Sequence, residues 1–267
     1  MSFPLNLLLL LSVSVAAALL LLLAVRRHPQ AGRLRETNDI AGYYFTILGG
    51  LYGVFLGFMV LVVQTRFDQA ETLTEQEATA ATTLFVMAGG LSEPYRNTLR
   101  SDLTQYVSEV ADREWPILGG GGYQAPEAFQ TFLRLYETVG RMKPRDSREQ
   151  SVVSEALSRL HQIHETRRLR LLANRKTLPF VYQGVLIGGA ILTVVSTALF
   201  GVERFGLHAL KTALLTALIC LMLFAIHEVD RPFRGEIRVS VEPFRRARLF
   251  FGEIRTQEAG RFVPTED

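Results

Sequence analysis

The chain has 267 residues, 48% of them hydrophobic, with a mean hydropathy of +0.18 and a formal net charge of +3. Apolar residues gathered in long blocks point to a membrane protein rather than an ordinary soluble domain. Of 29 basic residues only Lys143, Lys176 and Lys211 are lysine, and the arginines crowd beside the apolar blocks, which suits headgroup anchoring and argues against a nucleic-acid partner.

The first apolar block is Pro4 to Val25. A signal peptide would need a basic n-region and a small-residue cleavage site, whereas Arg26 and Arg27 follow here, so a retained spanning helix is expected. Residues 26–40 form a polar connection.

Gly42 to Gln64 is a second charge-free stretch, long enough to cross a bilayer. Gly49, Gly53 and Gly57 recur every fourth residue, and Gly42 and Thr46 extend the stripe. Small residues on one face let helices approach closely in lipid. The other face carries Leu51, Phe55, Phe58 and Val62. Two readings stay open: a helix that packs an assembly and lines a passage, or a lipid-facing helix on one tight neighbour. With no Pro or Gly between Gly57 and Gly89, the helix is predicted to run well past the membrane.

Residues 91–178 read as helical throughout. Ser92 before Glu93-Pro94 predicts a helix to about Trp115. Pro116 and Gly119 to Gly122 read as a loop, with no preceding strand and no GK[ST] to make it a phosphate cradle. Pro126 opens a helix ending near Gly140. Ser147 with Gln150 reads as a capping box opening a long helix to about Leu178. Val153, Leu157, Leu160, Ile163 and His164 keep helical spacing there.

Pro179 to Phe200 is a third apolar block, with Gly184 and Gly188 as another small-residue pair. A short linker makes Leu207 to Ile226 its antiparallel neighbour. Cys220, the only cysteine, sits in this block and excludes an intrachain disulfide. The segment after it reads as a basic, proline-broken tail with mobile final residues.

Twelve basic residues flank one side: Arg66, Arg167, Arg168, Arg170, Arg175, Lys176, Arg231, Arg234, Arg238, Arg245, Arg246 and Arg248. Five flank the other: Arg26, Arg27, Arg33, Arg35 and Arg204. The positive-inside rule then places the helical domain and both termini in the cytoplasm.

Candidate sites are few. His161, His164 and Glu165 share a helix, but no third ligand is evident, so ordinary helix histidines are favoured over a metal site. Asp68, Glu71, Glu75 and Glu77 would make either an acidic mouth attracting cations or a solvated helix face. Glu114-Trp115 reads as a packing and capping element. Lys211 is ionisable within a spanning block, and with Arg204 it would form a basic vestibule, or it would snorkel to the interface. No catalytic arrangement, metal site or cofactor motif stands out, so no enzyme is expected.

Several phrases together resemble a known family: Gly49-Leu-Tyr-Gly-Val-Phe-Leu-Gly-Phe, Glu77-Ala78, Arg113-Glu114-Trp115, Leu178-Pro179 and Asp230-Arg-Pro-Phe-Arg-Gly. The chain is similar to bestrophin-like bacterial and plant membrane proteins, over about residues 40–245. True bestrophins, more distant, are pentameric channels with four spanning helices and a cytoplasmic helical domain between the second and third. Their second helix lines the pore with a Phe-rich neck. The resemblance implies a neck of Leu51, Phe55, Phe58 and Val62, a homo-oligomer, and inorganic ions as cargo in a bacterial inner membrane. It does not extend to the calcium-binding acidic run of animal bestrophins, since Glu236-Ile-Arg-Val stands in that place.

The expectation is therefore an all-α protein: spanning helices 1 and 2 in 1–64, a helical domain in 65–178, spanning helices 3 and 4 in 179–228, and a tail in 229–267. An oligomeric ion channel leads. A membrane scaffold binding a partner through its helical domain, or a motor-stator or proton-channel subunit, are the alternatives. The stator reading wants an intramembrane carboxylate, and the spanning blocks hold none before Glu228.

Overall fold

A computed structural model describes residues 3–29 and 31–261. The described chain is helical, with no strand: α1 (Phe3–Arg27), a 3-10 turn (Ala31–Thr37), α2 (Asn38–Met87), α3 (Tyr95–Glu109), a π turn (Val110–Glu114), α4 (Trp115–Gly119), α5 (Pro126–Gly140), α6 (Ser147–Arg175), α7 (Phe180–Ala198), α8 (Phe205–Val229) and α9 (Glu242–Arg261). Four helical stretches, Leu5–Arg27, Leu34–Gly90, Ser147–Ala198 and Phe205–Val229, are long and apolar enough to cross a membrane. The chain divides into two compact units. The first comprises residues 1–65 and 177–230, and the second 66–176 and 231–267; α2 supplies residues to both.

In the first unit α1, α7 and α8 pack together. Tyr52, Leu56, Met59 and Val63 of α2 are buried with Leu178, Leu186, Ile219 and Ile226. Steps of four, three and four keep those α2 residues on one face. In a membrane, where lipid is as apolar as leucine, close packing and hydrogen bonds rather than expulsion of water would hold such a unit together. The Tyr52 hydroxyl donates to the Leu186 carbonyl at 2.8 Å. Asn38 pairs reciprocally with the Gly201 backbone, both bonds at 2.9 Å. His208 Nε2 lies 2.9 Å from the Thr197 carbonyl oxygen. Such bonds contribute about 0.6 kcal/mol each on average. Gly189 is packed tightly, since an added Cβ there would lie 2.4 Å from the Tyr52 ring.

The second unit has a core of aromatic and aliphatic side chains from α2, α3, α5, α6 and α9. α5 shows why: Ala128, Thr131, Phe132, Leu135 and Val139 recur at three or four and are all buried. Fully burying one such Leu or Phe stabilises by about 1.5–3 kcal/mol. Phe85 of α2 stacks on Phe251 of α9 with ring centroids 4.0 Å apart.

Several local expectations need correction. The segment read as a basic tail contains α9, and Phe233, Val239, Phe244, Ala247 and Phe251 are buried in the second unit's core. Its arginines alternate with those core residues, which hid an amphipathic helix. The expected mobile final residues lie largely outside the described ones. Pro116 is helical rather than in a loop. It is the second residue of α4, just downstream of the π turn. The N-cap of α6 is Asp146, not Ser147: its carboxylate accepts the Glu149 N–H at 2.7 Å, while Glu149 accepts the Arg145 N–H at 2.7 Å. That helix ends at Arg175 rather than Leu178.

Candidate functional site

Two places combine unusual chemistry with position: the uncovered face of α2 in the first unit, and a buried charge cluster in the second.

At about 100° per residue, the side of α2 opposite Tyr52, Leu56, Met59 and Val63 carries Ile47, Val54 and Leu61 at seven-residue intervals, with Leu51 and Phe58 beside them. All five are exposed, Leu51 at 70% and Phe58 at 61%. Phe55 and Val62 behave differently, since both are half-buried against the first unit's own core. The candidate neck residues therefore do not share one environment. The glycine stripe is also uncovered within the chain. A Cβ added at Gly49, Gly53 or Gly57, or at Gly184 or Gly188 of α7, would meet nothing within 4 Å. Gly42 alone of the expected packing glycines touches a neighbour, the Phe200 ring at 3.9 Å. The close-contact glycines of the first unit are Gly189 and Gly201, which the sequence reading did not single out.

Lys211 and Arg204 are both exposed on α8 or at its start. Asp68, Glu71 and Glu75 are exposed on α2. Glu75 pairs with Arg246 at 2.9 Å, both carboxylate and guanidinium largely solvent-accessible. A pair of that kind is worth at most about 1 kcal/mol.

Glu77 is different. Read from sequence as part of that acidic face, it is completely buried. Two residues, about 200° of helix rotation, separate the two outcomes: Ala70, Thr74, Glu77 and Ala81 form the inward face of α2, and Glu75 lies off it. Arg170 grips Glu77 through Nε at 2.7 Å and Nη2 at 3.0 Å. The same Nη2 reaches Glu114 at 2.8 Å. Arg167 holds Glu114 through both terminal nitrogens, at 2.8 and 2.5 Å. The Tyr106 hydroxyl donates to Glu77 at 2.6 Å, and the Ala125 N–H to Glu114 at 3.2 Å. Two carboxylates and two guanidinia thus neutralise one another.

The electrostatics follow from burial and pairing. Burial pushes the Glu114 carboxyl up, and the guanidinia of Arg170 and Arg167 overcome it, leaving the group below its ordinary value. Burial also opposes the Arg170 charge, and Glu77 and Glu114 more than offset it. Burial, reinforced by Glu77, holds the Tyr106 hydroxyl well above its ordinary value. Arg170 Nη1 has no hydrogen-bond partner. Its guanidinium lies against Trp115 and Phe244, 5.3 and 5.6 Å from their centroids, where cation–π attraction replaces part of the lost hydration. The π turn carries Glu114 into this position. Sequence reasoning missed the cluster by counting Arg167 and Arg170 among membrane-flanking charges. The available signal was the stripe Leu160, Ile163, Arg167, Arg170, Asn174, which continues the buried face of α6. His161 and His164, by contrast, lie against the rings of Tyr136 and Phe132.

The phrases singled out in the sequence have physical jobs. Asp230 accepts the Leu178 N–H with both oxygens, at 3.1 and 2.9 Å. Phe233 packs edge-on against Trp115, centroids 5.4 Å apart. Gly235 has φ +73°, a conformation that favours glycine.

No curated protein shows a significant match to the sequence. Solved structures do resemble the fold. A bacterial bestrophin homologue from Klebsiella pneumoniae carrying a single substitution superposes with a TM-score of 0.72 at 14% identity, covering 95% of this chain and 98% of that one. A second variant of that homologue gives 0.70 at 14% identity, covering 92% and 98%. A structure of the homologue phased on zinc gives 0.68 at 14%, covering 90% and 97%. The sequence profile of the Bestrophin-like domain matches residues 12–244. This chain is a membrane protein that belongs to the bestrophin-like family.

Proposed function

We propose that the protein is an oligomeric ion channel whose passage is lined by α2 from several copies. The observation that carries this reading is the uncovered side of α2. A membrane-length helix exposes Ile47, Leu51, Val54, Phe58 and Leu61 on one side and an open glycine stripe on another. Glycines that meet nothing within their own chain suit contact with a neighbouring copy. Large apolar residues then remain for the lumen. The neck of Leu51, Phe55, Phe58 and Val62 would act through dewetting, with Leu51 and Phe58 its freely projecting members. Family resemblance favours five copies. Asp68, Glu71 and Glu75 would form the mouth, and Lys211 with Arg204 the opposite vestibule.

The second unit is assigned to the cytoplasm and the spans to a bacterial inner membrane. Arg167 and Arg170 are buried in ion pairs and drop out of the flanking count. Ten basic residues against five still favour that orientation. A periplasm-active reporter fused after Gly122 should stay silent; activity there would reverse the orientation. The test of function is ion flux into dye-loaded liposomes. Flux above empty liposomes supports the channel. Flux equal to empty liposomes with the oligomer intact leaves the scaffold reading ahead.

A further inference from the structure

Two adjoining cavities of the first unit, which share lining residues, form a groove along α1, α7 and α8. The larger is about 700 Å³ and the smaller about 310 Å³, and both are lined by Ser14, Ile187, Cys220 and Leu223. On α1 the lining runs from Asn6 to Leu21, about 22 Å of helix axis. Half of a hydrocarbon core is about 15 Å, so the groove matches the depth of one leaflet with room to spare. Its walls are apolar along most of this length. At one end they become polar, with Asn6, Gln183, His227, Glu228 and Asp230. An apolar trough that becomes polar at one end has the profile of a lipid, tail inward and headgroup at the surface.

The charge at that end selects among headgroups. Two carboxylates line it and no Lys or Arg does. Asp230 already accepts the Leu178 N–H. Glu228 is half-buried and lines the same end. An anionic headgroup would meet repulsion there. A quaternary ammonium has no N–H to donate, whereas a primary ammonium makes a charge-assisted hydrogen bond to a carboxylate. Asn6, Gln183 and His227 carry donors for the phosphate. We propose that the groove holds a chain of a phospholipid with a primary-amine headgroup, the ammonium at Glu228 and the chain along Val13, Ala17 and Ile191.

The test uses the full chain, purified in detergent and washed free of lipid. Binding of phosphatidylethanolamine, phosphatidylcholine and phosphatidylglycerol with identical chains is measured by native mass spectrometry. Phosphatidylethanolamine should bind roughly tenfold tighter than the other two, the value of one hydrogen bond to a charged group. Glu228→Gln should erase that preference, and Val13→Trp, which fills the groove, should remove binding. Equal affinity for the three lipids overturns the proposal, as does a preference that survives Glu228→Gln. If Val13→Trp leaves lipid binding intact and dissociates the oligomer instead, a second copy covers the groove and the proposal fails. Should Val13→Trp not fold, the Glu228→Gln comparison decides alone.

Discussion

Arg170 and Glu77 stand 93 residues apart in sequence and meet in a two-point ion pair with neither side chain accessible to solvent. The pair ties α6 to α2 at the centre of the second unit, and Glu114 links it to the π turn. Removing one partner of a buried pair costs far more than the pair's net worth, because the survivor keeps its charge without compensation.

Arg170→Met should therefore destabilise the protein by about 3–5 kcal/mol. Glu77→Gln/Arg170→Met should be less damaging than Arg170→Met alone, since Glu114 and Arg167 remain a balanced pair. Thermal unfolding of the full-length protein in detergent checks the order. A single variant at least as stable as the double would contradict the charge argument.

Acid should unfold the second unit through the same group. The Glu114 carboxyl sits below its ordinary value in the folded state, so it stabilises fully above the unfolded-state value of about 4.3. That contribution is lost as pH falls through the lower folded-state value. Glu149 acts in the same direction, pulled to about 2 by hydrogen bonding from Ser92 and then by the Arg145 N–H. The unfolding midpoint should be flat from neutral to about pH 5 and fall below about pH 4. Glu114→Gln should be weaker at neutral pH and show a shallower acid slope. An unchanged slope would assign acid sensitivity to other carboxylates.

The glycines divide into two kinds, and substitution should separate them. Gly189→Ala places a methyl 2.4 Å from the Tyr52 ring, which is itself fixed by its bond to Leu186. Overpacking of that kind costs about 1–3 kcal/mol, so the unfolding midpoint should drop. At Gly53 an added Cβ meets nothing within 4 Å, so Gly53→Leu should leave intrachain packing intact. Its effect should appear as loss of the oligomer on native gels. An intact oligomer would place the glycine stripe against lipid or the lumen.

Hydropathy made the four membrane-length helices legible, and the uninterrupted run after Gly57 announced the long α2. Two kinds of information were not. Periodicity shows that a residue lies on a face without showing which face is covered, so Phe55 and Phe58 looked equivalent although the first leans into its own core. Charged residues were read as solvated, although Glu77 continues the stripe of Ala70, Thr74 and Ala81 that Glu75 leaves. The partners that make its burial tolerable, Tyr106, Glu114 and Arg170, come from distant parts of the chain. α9 was obscured in the same way, because its core residues are interleaved with Arg245, Arg246 and Arg248, the last pairing with Asp112 at 2.7 Å.

The two phenylalanines give the sharpest test of the passage. Phe58 is 61% exposed on the uncovered side of α2, whereas Phe55 is half-buried among the first unit's own side chains. If α2 rings an axis, Phe58→Ala removes a bulky group from the lumen while costing the chain little packing. The narrowest apolar ring widens, dewetting weakens, and ion flux into dye-loaded liposomes should rise. Phe55→Ala removes a side chain that also packs inward. It should lower the unfolding midpoint, and raise flux less than Phe58→Ala at equal incorporation. The paired measurement separates gate from scaffold: higher flux with unchanged stability for Phe58→Ala, and lower stability with a smaller flux gain for Phe55→Ala. If Phe55→Ala raised flux more, the helix would have to be rotated about its axis, with Phe55 rather than Phe58 forming the constriction.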